Sequence, residues 1–79
     1  MELEQKAMSL KEIGALIQAA RNEEELTQSQ LAEELNVNPM TISLAENGSD
    51  RTGKGLLNRL AHRFNLVFDL GFPFDAESE

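Results

Sequence analysis

The chain has no cysteine and a single histidine, His62, and each shortage removes one way of holding a small protein together. Disulfides are excluded outright. A lone imidazole without co-ligands at zinc spacing argues against a metal site and places His62 on the surface. Seventy-nine residues suffice for one domain with a small core, and chains this short ordinarily rely on a disulfide, a metal or a partner chain. Association is the route left. No apolar run approaches the length of a bilayer span, and the opening residues Met1-Glu2-Leu3-Glu4-Gln5 are acidic where a signal region is basic. A cytoplasmic location is therefore expected. No nucleophile, base and orienting group share a recognisable pattern, so neither an enzyme nor a cofactor is expected, and no internal repeat or second domain is visible.

What the chain does contain is punctuation. Ser9 with Glu12 opens a helix whose apolar positions Ile13, Leu16, Ile17 and Ala20 share a face. Thr27 with Gln30 forms a second capping box, flanked by Leu26 and Leu31 at the positions of a hydrophobic staple. Asn38 caps a third helix whose first residue is Pro39, and Val37 with Ile42 repeats the staple. Gly48 suits the left-handed position that ends that helix. Thr52 is placed to cap a fourth helix, with Leu56, Leu57, Leu60, Ala61 and Phe64 facing the core and Asn65 at its end. Two short capped helices joined by a tight turn, residues 27–48, are the skeleton of a helix-turn-helix. The second of them, about two turns long, is too short to stand alone and must be held by its neighbours.

The typed positions Thr27, Gln28, Leu31, Ala32, Leu35, Val37, Asn38, Thr41, Ile42, Ser43, Glu46, Asn47 and Gly48 resemble the helix-turn-helix of the lambda-repressor/Cro type, the Xre family of bacterial regulators. The resemblance runs from about Leu10 to Leu70. It implies an all-α DNA-binding bundle of four or five helices that works as a dimer on double-stranded DNA with two half-sites. It also implies that Arg21 and Glu46 meet across the bundle as a structural ion pair; two independent solvated charges are the alternative. Gln28 would meet a phosphate from the first turn of its helix. Thr41 and Ser43 carry hydroxyls suited to phosphate or base edges, and Asn38 sits where such a helix enters the major groove, with capping its main task. The pattern departs from the family where relatives place Gln, Arg or Ser to read bases, because Pro39, Met40 and Leu44 stand there. Met40 and Leu44 suit thymine methyl groups or a protein surface equally. Ala45 replaces the usual large anchor, which leaves open a rotated helix with Leu44 filling the space.

Charge opposes a nucleic-acid partner, since the formal net charge is -7. Its distribution softens that objection. Residues 1–8 contribute -1 and residues 67–79 contribute -4, leaving -2 for residues 9–66. Arg51 and Lys54 follow the third helix, where backbone N–H groups at the start of the fourth could help them hold a phosphate. The segment from Gly48 to Gly55 comes within one residue of a nucleotide-binding P-loop. It lacks the hydroxyl residue after Lys54, and no strand precedes it.

The remaining organisation is a tail at 1–8, the helical domain at 9–65, a segment at 66–71 and an acidic tail at 72–79. Leu66, Phe68 and Leu70 alternate with Val67 and Asp69 as in a strand. A solitary strand must pair with another, most simply the same segment of a second copy, giving a homodimer; an extension of the fourth helix is the alternative. Phe72 and Phe74 flank Pro73 in the acidic tail and suit a protein partner. A domain that ends in such a strand looks most like the HipB-type antitoxins, which repress their own operon and bind a kinase-like toxin. A free-standing or phage-type repressor, or an interaction module that has lost DNA binding, are the other readings.

Overall fold

Four helices make up the chain over residues 8–68, the part that the computed structural model describes. They are α1 (Leu10–Glu23), α2 (Gln28–Leu35), α3 (Pro39–Glu46) and α4 (Lys54–Phe64). α3 packs against both α1 and α2, and α4 closes the bundle against α1. The core takes Ile13 and Ile17 from α1, Leu31, Ala32 and Leu35 from α2, Ile42 and Ala45 from α3, and Leu57 and Leu60 from α4. Met8, Leu10, Val37, Leu56, Phe64 and Phe68 pack around its edge.

Local signals set the helix ends. Ser9 accepts from the Glu12 N–H while the Glu12 carboxylate accepts from the Ser9 N–H, and Thr27 and Gln30 form the same reciprocal pair. Each helix also stops in the same way. A residue in the left-handed region follows the last turn, at Glu25 (φ 59°), Asn36 (φ 61°), Gly48 (φ 76°) and Asn65 (φ 58°). The next N–H then bonds back to a carbonyl five residues earlier: Leu26 to Arg21, Val37 to Ala32, Ser49 to Leu44 and Leu66 to Ala61. These bonds satisfy carbonyls that would otherwise be orphaned at the helix ends.

Two expectations fail. Leu16 lies off the buried line of Ile13, Ile17 and Arg21 and is 39% exposed, because the small core covers only one narrow stripe of α1. Thr52 does not cap α4; Gly53 is the N-cap and makes no side-chain bond, while the Thr52 hydroxyl is buried without a hydrogen-bond partner. Residues 66–68 are neither helical, which rules out a continuation of α4 past Asn65 over them, nor part of a strand within the chain. Leu66 and Phe68 are partly buried there and Val67 is 88% exposed. The rest of the expected strand, including Leu70, and the tail with Phe72 and Phe74 lie outside the described residues.

Two features that the sequence pattern conceals join the helices. Gly14 lets the backbones of α1 and α3 touch: a Cβ there would stand 2.4 Å from the Glu46 carbonyl oxygen and 2.6 Å from that of Ala45. The small Ala45 therefore fits a close crossing, and no rotation of α3 is needed to fill a gap. On the surface, the Arg63 guanidinium bridges Glu24 at 2.8 Å and Glu34 at 2.6 Å, tying α4 to the end of α1 and to α2. Arg59 reaches across likewise and donates to the Leu35 carbonyl.

Gly14→Ala sets two effects against each other. Helix propensity favours alanine by about 1 kcal/mol, whereas overpacking costs about 1–3 kcal/mol and here meets backbone carbonyls that cannot turn aside. Net destabilisation of up to about 2 kcal/mol is expected in urea melts. The Glu34 carboxyl titrates below its ordinary value of 4.5, chiefly because it accepts a hydrogen bond from Arg63. Its contribution to stability is therefore present above that ordinary value and is lost as pH falls through the lowered one. Arg63→Gln should return the Glu34 titration, followed by carboxyl NMR, to the ordinary range.

Candidate nucleic-acid interface

The turn between α2 and α3 is built from three residues with separate tasks. Asn36 reverses the chain in the left-handed region, Val37 packs its side chain against the core, and Asn38 accepts from the Met40 N–H at 2.8 Å through its side-chain oxygen. Pro39 then starts α3, where a missing N–H costs nothing. At the far end Gly48 is required twice, for its positive φ and because a Cβ would stand 2.7 Å from the Lys11 Cα.

A buried ionic group holds this unit in place. Arg21 Nε lies 2.5 Å from Glu46 Oε2 and Arg21 Nη2 lies 2.9 Å from Glu46 Oε1, a two-point contact in which the side chains are 10% and 3% exposed. Arg21 Nη1 donates to the Leu26 carbonyl at 2.7 Å, and Gln28 Nε2 donates to Glu46 Oε1 at 3.1 Å. The hydrogen bonds that Arg21 donates to the Glu46 carboxylate raise its pKa further, keeping the guanidinium charged. One cluster thus joins the end of α1, the α1–α2 loop, the first residue of α2 and the last of α3. A carboxylate in the last turn of a helix is unfavourable against the helix dipole, and Arg21 offsets it.

The exposed residues beside this cluster define the outer surface. Met40 is 64% exposed, and Asn38, Pro39 and Asn47 are exposed with it. Thr41, Ser43 and Leu44 are partly buried, the Ser43 hydroxyl accepting from Asn47 Nδ2 at 3.4 Å. Arg51 is exposed in the turn after α3, its N–H bonded to the Ser49 hydroxyl at 3.0 Å, and Lys54 is exposed at the start of α4. Asn38, Met40 and Thr41 lie at the first turn of α3, with Ser43 and Leu44 further along it, while Gln28 reaches its last residue, Glu46. Arg51 and Lys54 lie beyond that end of the helix. Pattern reasoning missed Gly14, which sets the depth of α3, together with Arg59 and Arg63. A glycine inside an amphipathic helix was the available signal for the first.

A family model described as helix-turn-helix matches residues 17–67, which takes in the cluster, both short helices and α4. The chain belongs to this helix-turn-helix family. It is also 40% identical over 47 residues to an uncharacterized HTH-type transcriptional regulator, YvzC, of Bacillus subtilis (strain 168). That match covers 60% of this chain and 61% of the relative, so the chain spans about three-fifths of the length of the protein it resembles. No solved structure matches significantly. Family membership agrees with the two short helices and the turn described above. Among the described residues no helix is long and apolar enough to cross a membrane.

The ionic cluster invites a double-mutant cycle. Removing one partner of a buried pair costs about 3–5 kcal/mol, against about 0–1 kcal/mol for an exposed pair. Arg21→Met and Glu46→Gln should each fall in the larger range by urea melt and show strong coupling when combined. Coupling of only a few tenths of a kcal/mol would mean that the contact contributes little to stability.

Proposed function

We propose that the chain is a DNA-binding transcriptional repressor that acts as a homodimer, with α3 in the major groove of each half-site. The observation that carries this reading is the presented helix itself: α3 is anchored from behind by Ile42, Ala45 and Glu46 while Asn38, Pro39 and Met40 face solvent. Its family and the regulator it resembles support the same type of function. Phosphate contacts fall to Thr41, Arg51 and Lys54, and to Gln28, one of whose amide hydrogens is already given to Glu46. Asn38, Ser43 and Leu44 stand beside Met40 for contacts within the groove. The acidic charge is a smaller obstacle than its total, since only -2 belongs to residues 9–66.

Dimerisation is assigned to Leu66, Phe68 and Leu70 as a strand paired with its copy. The left-handed stop at Asn65 supports this by turning the chain out of α4 before Leu66. Within the repressors, the strand after α4 favours an antitoxin of the HipB type that controls its own operon, with Phe72 and Phe74 reaching a kinase-like toxin. A second reading, a protein-interaction module, draws on the exposure of Met40 beside Pro39.

Binding of the purified chain to its own promoter decides between them. Retention at low salt, a steep fall in affinity with salt and protection of two half-sites about one helical turn apart are expected. Arg51→Ala should weaken binding on all sequences alike and reduce the salt slope by about one unit. Phe68→Pro should shift the light-scattering mass toward monomer by removing a ladder donor. A promoter that is not retained even at low salt turns the assignment to the interaction module.

A further inference from the structure

We propose that Met40 is a specificity-determining residue that recognises thymine through its C5-methyl group, so that the chain distinguishes sequences by apolar contact at that position rather than by polar readout. This rests on the DNA-binding reading above and adds the chemistry of recognition to it. The polar side chains on and beside α3 already carry bonds within the fold. The Asn38 side-chain oxygen holds the Met40 N–H, and the Gln28 amide nitrogen gives a hydrogen bond to Glu46. The Ser43 hydroxyl accepts from Asn47. Thr41 is partly buried and lies about 100° around the helix from Met40. Pro39 has neither a side-chain donor nor an N–H.

Met40 is thus the long side chain that projects from the first turn, 64% exposed, with Leu44 one turn further along the same face. In the major groove the apolar group that marks one base apart from the others is the methyl of thymine. A flexible thioether can follow that methyl without demanding a fixed geometry. Met40 is exposed in the free chain, so contact with a methyl would remove apolar surface from water.

The test uses a duplex chosen from a random pool by the purified chain, followed by replacement of each thymine with deoxyuridine, which removes only the methyl. One position per half-site should lose affinity by about fourfold, the value of burying a single methyl group, and by about fifteenfold when both half-sites are changed. Met40→Ala should bring the thymine-to-deoxyuridine ratio at that position close to one, while the melting temperature and the salt slope stay as in the parent. Retained binding that is indifferent to deoxyuridine everywhere would overturn the assignment, as would a Met40→Ala chain that still discriminates. Absence of binding to any duplex at low salt is a different result, which removes the DNA-binding reading and this inference with it.

Discussion

The contact between Arg21 and Glu46 is the constraint on which the arrangement of the short helices depends. It connects residues 25 apart in sequence. It lies where α1, α2 and α3 meet. A guanidinium in that position is expensive unless its hydrogen bonds are filled. Here three of its nitrogens find acceptors, two on Glu46 and one on the Leu26 carbonyl. The apolar core supplies cohesion without direction, since Ile13, Ile17, Leu31 and Ile42 would be buried in many relative helix settings. The planar fork of the arginine supplies direction, because its two-point grip on a carboxylate restricts how the two side chains can meet.

Close packing reinforces that choice. Gly14 and Gly48 remove side chains where α3 and its exit loop press on α1, so the helix sits deeper than side chains at those positions would permit. Arg63 and Arg59 add ties from α4 to α2, and Arg63 also to the end of α1, by contacts that are mostly at the surface and correspondingly weaker.

Legibility of these features follows their range along the chain. Ser9 with Glu12, Thr27 with Gln30 and Asn38 with Pro39 are contacts between neighbours, so their spacing alone discloses them. Asn36 and Glu25 adopt left-handed backbone without the glycine that usually advertises it, and only Asn65 and Gly48 among the four stops were readable. The meeting of Arg21 with Glu46 was suggested by resemblance, since no periodicity connects two helices. Arg63 with Glu24 and Glu34 had no such guide: the partners are 39 and 29 residues away among many other acidic side chains. Leu16 misled because helical spacing marks a face, whereas burial depends on how wide the neighbouring helices are. Thr52 misled because a hydroxyl one residue before the cap has the right chemistry in the wrong place.

The brevity of α2 and α3, eight residues each, has a consequence for how the protein fails. Helices of two turns do not persist in water on their own, so neither survives as a partly folded remnant once its supports are gone. The surface formed by Asn38, Pro39 and Met40 therefore exists in full or is absent. Loss of a tie outside α3, such as that of Arg63 with Glu24 and Glu34, lowers the number of molecules that possess this surface and leaves its shape in the remaining ones unaltered.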